Sequence, residues 1–245
     1  MTDPALDPRE VDAFRRARDE VLARIAGAAE RVGRDPAGVS LVAVSKTVPA
    51  ARVRAAVAAG LDVLGENRVQ EAAAKVPEVP GASWQLVGPL QANKARRAIE
   101  LFDLVQTVDS DDLARRLDRI AGEVRPGRPL PVLLQVNVGD DPAKAGFRPD
   151  SVAAVLPGIL ALYNVRVDGL MTIGRLVDTA EAARPTFRAL RDLSVSLRAA
   201  HPALGAALSM GMTDDYEVAV EEGATVVRVG RALFGERGMP GRTIP

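Results

Sequence analysis

The first long segment of the chain has the alternation of apolar and charged positions that characterises an amphipathic helix. Phe14, Val21, Ile25 and Val32 recur at intervals that place them on one helical face, among pairs of charged residues. An apolar stripe of this width normally faces a hydrophobic core. The pattern therefore predicts an N-terminal helix over residues 8–32 that packs against the rest of the chain.

Beyond residue 40, short apolar runs alternate with longer segments of helical periodicity. Runs that are apolar on both faces are typical of parallel strands covered by helices. We predict eight strands, at residues 41–46, 62–67, 84–88, 104–109, 131–137, 165–173, 206–212 and 224–230. We predict helices between them near residues 50–59, 68–75, 93–100, 111–122, 150–162, 179–199 and 214–222. This alternation indicates an α/β fold, a single (β/α)8 TIM barrel with an extra N-terminal helix.

An open, doubly wound sheet is the alternative α/β architecture. It is disfavoured because no G-x-G-x-x-G follows the first predicted strand and no G-x-x-x-x-G-K-[ST] occurs in the chain. The Pro/Gly-rich patches at 126–131 and 238–245 are short and are interpreted as a loop and a tail. We therefore expect residues 1–245 to form one domain.

Composition narrows the class of function. The 32 Lys and Arg residues balance 32 Asp and Glu residues, so no basic surplus favours nucleic acid or a membrane surface. The absence of cysteine excludes disulfides and thiolate nucleophiles. The acidic N-terminus is unlike a secretory signal and no apolar run could span a bilayer, so we expect a cytoplasmic protein. The single histidine, His201, precedes a proline at a predicted helix end, so neither a catalytic triad nor a metal site is expected.

Lysine is scarce in this chain, since only four of its 32 basic residues are lysines. Lys46 ends the first predicted strand, and alternation places it on the same face as Val42 and Val44. If that face is the barrel interior, burial favours the neutral amine, which is a nucleophile for an aldehyde. The alternative is a strand-end lysine whose ammonium extends into solvent. Lys144, in a glycine-containing loop, is the rival amine.

Arg228 lies inside the last apolar strand, on one face with Val226 and Gly230. A buried guanidinium needs an acceptor, which is either a carboxylate such as Glu66 or Asp168, or a ligand's ring nitrogen. In the second case, Gly230 allows a ligand to approach the backbone closely, and the amides there can bind a phosphate.

Two other strand ends carry polar residues with two interpretations each. Thr213, followed by two aspartates, is predicted to be a helix N-cap, and its hydroxyl together with the helix amides could equally bind a phosphate. Asn67 either caps the next helix or lines the mouth of the barrel.

Taken together, five motifs resemble the pyridoxal phosphate homeostasis protein family. They are LVAVSK, GENRVQE, WQLVGPLQANK, SMGMTDDYEVAV and TVVRVGRALFG, which follow the family's order between residues 41 and 235. This family is in turn similar to the N-terminal barrel of alanine racemase and lacks the second domain of that enzyme.

The resemblance implies a site for pyridoxal 5'-phosphate (PLP). Lys46 would hold the cofactor as a Schiff base, Arg228 would face the pyridine nitrogen, and Thr213, Gly230 and the Arg231 amide would bind the phosphate. The full set of implied cofactor-binding residues is Lys46, Asn67, Ser209, Met210, Thr213, Arg228, Gly230 and Arg231.

Three positions depart from the family pattern. Thr213 stands where serine is usual and keeps the hydroxyl, whereas Gln85 replaces a common histidine and cannot ionise. Asp141 replaces a common glutamate and keeps the charge on a shorter side chain.

The resemblance and the chemistry together favour a carrier over an enzyme. An arginine only donates hydrogen bonds, so the ring nitrogen that it faces is unprotonated and a poor electron sink. Racemisation also needs a second acid/base, and of the two tyrosines Tyr163 precedes strand six while Tyr216 is expected to face outward. We therefore expect a monomer in PLP homeostasis that supplies apo PLP-dependent enzymes, with no catalytic residues. The alternatives are a weak alanine-type racemase and a barrel that binds another phosphorylated metabolite.

Overall fold

The computed structural model describes residues 6–142, 144–174 and 177–235. The strands are β1 (Ser40–Val44), β2 (Val63–Glu66), β3 (Ser83–Leu86), β4 (Leu104–Val108), β5 (Leu130–Gln135), β6 (Val165–Met171), β7 (Ala207–Met212) and β8 (Val226–Val229). All eight pair in parallel and in chain order, and β8 closes the barrel by pairing with β1. The predicted TIM barrel is confirmed.

Helices form the outer layer of the barrel. They are α1 (Pro8–Arg31), α2 (Ala50–Ala58), α3 (Val69–Lys75), α4 (Ala95–Leu101), α5 (Asp111–Val124), α6 (Pro149–Leu160), α7 (Arg184–Ala200), α8 (Tyr216–Glu221) and α9 (Arg231–Phe234). The predicted helix 179–199 is a 3₁₀ turn, Ala180–Ala183, followed by α7. The four-residue helix α9 was not predicted because so short a segment carries no periodicity. Within the described part of the chain, none of the helices is both long and apolar enough to cross a membrane.

Helix α1 completes the outer layer. The Asp7 side chain accepts a hydrogen bond from the Arg9 amide and Pro8 occupies the first turn, so the predicted helix begins with a side-chain cap. It packs against α2, α8 and α9, and Phe14 meets Phe234 edge to face at a centroid distance of 5.5 Å. Helix α1 therefore packs on the helices that follow β1, β7 and β8.

The strands present one face to the helices and the other to the barrel interior. Leu64, Leu86 and Leu134 are buried in the core between strands and helices. On the opposite face, a Cβ built on Gly65 would lie 2.9 Å from Val42 Cγ1 and 3.3 Å from Val44 Cγ2. Val42 and Val44 therefore share one face with Gly65, as the alternation predicts, whereas Lys46, which the alternation placed on the same face, lies beyond the end of the strand.

Candidate functional site

Lys46 lies in a turn and not at the end of the strand, which corrects the predicted boundary. Strand β1 ends at Val44, and the Val48 amide donates to the Ser45 carbonyl at 3.0 Å, which closes a turn over residues 45–48. Thr47 adopts φ 65°, a left-handed conformation that turns the chain away from the strand direction. Lys46 is half-buried at this turn.

Arg228 is buried inside the barrel, and only 4% of the residue is exposed to solvent. Its guanidinium donates to Ser209 Oγ at 2.5 Å and to the Thr172 carbonyl at 2.8 Å. Neither carboxylate suggested by the sequence pairs with it: Glu66 binds Lys75, and Asp168 binds Arg166. The alternative in which Glu66 or Asp168 pairs with Arg228 is therefore contradicted by the structure.

The electrostatics at Arg228 follow from this burial. Removal from water lowers the pKa of Arg228 to about 10, and the negative charge of Asp215 opposes the shift. The guanidinium is still charged at neutral pH. Among the described residues, no carboxylate lies within ion-pair distance of it, so neutral oxygens accept its hydrogen bonds.

A chain of side-chain hydrogen bonds runs from Arg228 across the barrel. Ser209 Oγ donates to Gln106 Oε1 at 2.6 Å, and Gln106 Nε2 donates to Gln85 Oε1 at 2.6 Å. Because a guanidinium only donates, Ser209 must accept from it and pass its own proton to Gln106. This polar chain, Arg228–Ser209–Gln106–Gln85, links β8, β7, β4 and β3. The sequence reasoning missed Gln106, although a glutamine in the middle of an apolar strand was a visible signal.

The ends of β7 and β8 come together at the predicted phosphate segment. The Gly230 amide donates to Thr213 Oγ1 at 3.3 Å, which joins the two strand ends, and Arg231 begins α9 directly after Gly230. Thr213 is not the N-cap of α8, because that helix begins at Tyr216 and its N-cap position is Asp215. The hydroxyl of Thr213 is directed to β8 instead.

The two aspartates after Thr213 do not point at the Thr213 hydroxyl. Asp214 forms an exposed ion pair with Arg231. Asp215 accepts the Met212 amide at 2.6 Å, and burial raises the pKa of its carboxyl. Both carboxylates therefore have partners of their own.

The structure restricts what Met210 can contribute to the predicted site and excludes the capping alternative for Asn67. The Met210 side chain is fully buried in the core between strands and helices, so only its backbone belongs to the barrel wall at this level. Asn67 does not cap α3, because the N-cap position of that helix is Arg68. Instead the Asn67 backbone packs against Gly88, where an added Cβ would lie 2.3 Å from the Asn67 carbonyl oxygen.

The other lysines occupy different surroundings. Lys75 is buried, and its Nζ donates to Glu66 Oε1 at 2.6 Å and to the Ser45 carbonyl at 2.7 Å. Lys144 lies in a loop held by Asn137, whose amide donates to the carbonyl of Asp141 at 2.8 Å. The Glu66–Lys75 pair beside Lys46 was not predicted from the sequence.

Tyr163 and His201 lie in the connections that precede β6 and β7, whereas Tyr216 follows the end of β7. Tyr163 is 84% exposed in the connection between α6 and β6, before the strand begins. Tyr216 was expected to face outward, and its ring lies under Arg24 of α1, where it is buried. His201 caps the C-terminus of α7, as predicted. Among the described residues, no group of acidic or histidine side chains is arranged to hold a metal ion.

Comparisons with known proteins connect this geometry to a family. A family described as "Alanine racemase, N-terminal domain" matches residues 18–238. The Pyridoxal phosphate homeostasis protein of Pseudomonas aeruginosa is 46% identical over 223 residues, which cover 89% of this chain and 93% of that protein. The structure of PipY from Synechococcus elongatus without PLP superimposes with a TM-score of 0.78 at 47% identity, over 87% of this chain and 99% of PipY. The PipY structure with PLP bound gives a TM-score of 0.75 at 45% identity, over 86% of this chain and 100% of PipY.

Proposed function

Because the chain belongs to the pyridoxal phosphate homeostasis protein family, we propose that it binds PLP reversibly and acts in PLP homeostasis. The observation that carries this proposal is the clustering of three kinds of group on adjacent strands. An amine at Lys46 follows β1, a buried guanidinium at Arg228 lies on β8, and the Thr213 hydroxyl follows β7. PLP offers an aldehyde, a ring nitrogen and a phosphate for these groups.

The donor set fits the cofactor. The Thr213 hydroxyl, the Gly230 amide and the Arg231 amide would bind the phosphate, since backbone amides and hydroxyls are common phosphate ligands. Arg228 would donate to the ring nitrogen, and the polar chain through Ser209 holds the guanidinium in place. Lys46 would form the covalent bond, in which its amine nitrogen replaces the aldehyde oxygen and water leaves. Asn67 and Ser209 would line the remaining wall, with Met210 contributing only backbone.

The same residues support binding without turnover. PLP supplies a reactive aldehyde and, when its ring nitrogen is protonated, an electron sink. Arg228 can only donate hydrogen bonds, so a ring nitrogen that faces it would have to accept and would stay unprotonated, which would disfavour the electron-sink chemistry. Tyr163 is exposed before β6 begins, and Tyr216 follows the end of β7 but packs its ring under Arg24 of α1. Neither phenol is therefore placed to act as the second acid/base that racemisation needs. We propose that the chain is a carrier that returns PLP to apo PLP-dependent enzymes, as a monomer.

The covalent site is tested by trapping. The protein is incubated with PLP, reduced with borohydride and digested, and the modified peptide is located by mass spectrometry. We expect the adduct on the peptide that contains Lys46, its loss in Lys46→Arg, and its retention in the control Lys94→Arg. An adduct on Lys75, Lys94 or Lys144 with none on Lys46 contradicts the proposal, and no adduct at all favours another phosphorylated ligand.

Weak racemisation of alanine is the second candidate, because the matching family is described by an alanine racemase domain. The assay follows loss of optical activity of L-alanine by the PLP-loaded protein, with Lys46→Ala as the blank. Carrier function is measured separately, as reactivation of an apo PLP-dependent enzyme by the loaded protein. A racemisation rate that depends on Lys46 and is fast compared with PLP release would make the protein an enzyme.

A further inference from the structure

Both peptide bonds that flank Lys46 are held by side chains of one helix, α3. Lys75 Nζ donates to the Ser45 carbonyl at 2.7 Å, which belongs to the peptide bond before Lys46. Glu71 Oε2 accepts the Thr47 amide at 3.1 Å, which belongs to the peptide bond after Lys46. Glu71 and Lys75 are four residues apart and therefore share a face of the helix.

The first of these contacts is anchored deep in the protein. Glu66 is fully buried, and its Oε1 accepts hydrogen bonds from Lys75 Nζ at 2.6 Å and Ser45 Oγ at 2.7 Å. A buried ion pair adds little net stability, because desolvation offsets the Coulombic attraction. Its clear physical effect here is geometric, since it fixes where the Lys75 ammonium meets the Ser45 carbonyl.

The second contact holds a conformation that is unfavourable by itself. Thr47 has φ 65°, and β-branched residues rarely adopt this region because the side chain crowds the backbone. Such a conformation persists where surrounding contacts enforce it. The bond from the Thr47 amide to Glu71 is one of these contacts, and the turn that it stabilises begins with Ser45 and carries Lys46.

We propose that Glu71 and Lys75 are positioning residues that direct the Lys46 amine toward the aldehyde carbon of PLP without contacting the cofactor. The proposal rests on the function proposed above. It separates two parts of cofactor binding: the phosphate and ring contacts from β7 and β8, and the covalent bond at Lys46, which the contacts from α3 orient.

The test compares PLP with pyridoxine 5'-phosphate, which has the same ring and phosphate but an alcohol in place of the aldehyde. In Glu71→Ala we expect PLP affinity to fall about tenfold, since a displaced reacting group loses effective concentration. The affinity for pyridoxine 5'-phosphate should be unchanged. Glu71→Gln should restore most of the PLP affinity, because its amide oxygen also accepts the Thr47 amide. The matched control is Glu78→Ala, an exposed glutamate just beyond α3.

A second variant tests the buried contact without leaving a carboxylate unpaired. The double substitution Glu66→Gln and Lys75→Met removes both charges together. We expect the same selective loss of PLP affinity, with the thermal midpoint of the apo protein recorded alongside. Equal losses for both ligands, or no loss in either variant, would overturn the proposal. If the unmodified protein forms no adduct at Lys46, the proposed function fails instead, and the two failures are thereby distinguished.

Discussion

At the residue scale, Arg228 sets the direction of the hydrogen bonds inside the barrel. Its guanidinium can only donate, so every neighbour in the polar chain is forced into a single orientation down to Gln85. The charge is kept in a buried position by neutral acceptors, and its pKa is lowered to about 10 by desolvation. The polar chain therefore fixes the guanidinium inside the barrel, and within the described ranges no carboxylate lies at ion-pair distance from it.

Removing the hydroxyl that joins this chain should be costly. Ser209→Ala leaves one N–H of the Arg228 guanidinium and the side-chain oxygen Oε1 of Gln106 without a partner in a buried site. We expect a loss of about 1–3 kcal/mol in the free energy of unfolding, measured with urea. The control is Ser194→Ala, a buried serine on α7 that lies outside the polar chain. A Ser209 variant that is no less stable than its control would show that the polar chain contributes nothing to the free energy of unfolding.

The far end of the polar chain offers a second prediction. Gln85→His places a titratable ring where the Gln106 amide now finds an acceptor, with an ordinary pKa of about 6.5. The protonated ring can only donate, so it would face the Gln106 amide donor to donor. We expect PLP affinity of this variant to weaken by about threefold or more from pH 8 to pH 6, relative to the unsubstituted protein. Identical pH profiles of PLP affinity for the variant and the unsubstituted protein, measured by PLP titration, would contradict a coupling between Gln85 and Arg228 through the polar chain.

At the element scale, hydrophobic periodicity predicted which face of a strand is shared by which residues, but it missed the contacts that one element makes with another. The alternation of β1 correctly placed Val42 and Val44 inward, because that pattern is local. The same rule could not show that β1 ends two residues before Lys46, since the turn depends on contacts from α3 that lie far along the chain. The predicted N-cap at Thr213 was wrong for a similar reason: its hydroxyl accepts the amide of Gly230, which follows β8, and α8 begins only at Tyr216.

One buried carboxylate connects α7 to the C-terminal end of α8. Glu222 is 5% exposed and accepts hydrogen bonds from Arg184 at 2.9 Å and from Arg191 at 2.7 Å. Burial alone raises the pKa of Glu222, but the arginines reverse this and hold it below its ordinary value of 4.5. A depressed pKa stabilises the fold above the ordinary value, and that contribution is lost as the pH falls through the folded value.

Glu222→Gln should therefore destabilise the protein in a pH-dependent way. We expect a loss of about 1–2 kcal/mol at pH 7, reduced from a fully buried pair because the arginines are partly exposed. The difference from the unsubstituted protein should shrink below pH 4.5, in urea unfolding experiments at each pH. Glu123→Gln, at a half-exposed pair on α5, is the control and should cost little at any pH. A constant difference across this range would contradict the assignment.

At the scale of the whole molecule, α1 precedes the repeating strand–helix units and adds a helix to the outer layer of the barrel. Its amphipathic stripe was evident in the sequence, but its location was not, because that location depends on contacts with α8 and α9 at the other end of the chain. Phe14→Ala should cost about 3–5 kcal/mol of unfolding free energy. Leu22→Ala on the same helix is the control, since Leu22 is 40% exposed. Similar losses for both substitutions would mean that α1 is not anchored through Phe14.

The proposed cofactor site also spans the junction at which the barrel closes. Lys46 follows the first strand, whereas Thr213 and Arg228 belong to the last two, so a ligand held by all three ties the two ends of the chain together. Ligand at a hundredfold excess over its dissociation constant stabilises the folded state by about 2.7 kcal/mol. Because openings of the barrel are local, this stabilisation should appear first where β1 and β8 separate.

Amide hydrogen exchange checks whether the ligand protects the junction of β1 and β8 first. With PLP present, amides of residues 40–48 and 207–231 should gain more protection than those of β4 and β5 on the opposite side. In Lys46→Ala the bridge to β1 is lost, so protection should remain at residues 207–231 and largely disappear at 40–48. Uniform protection of all eight strands, or protection of 40–48 that survives this substitution, would mean that the ligand does not join β1 to β8 through Lys46.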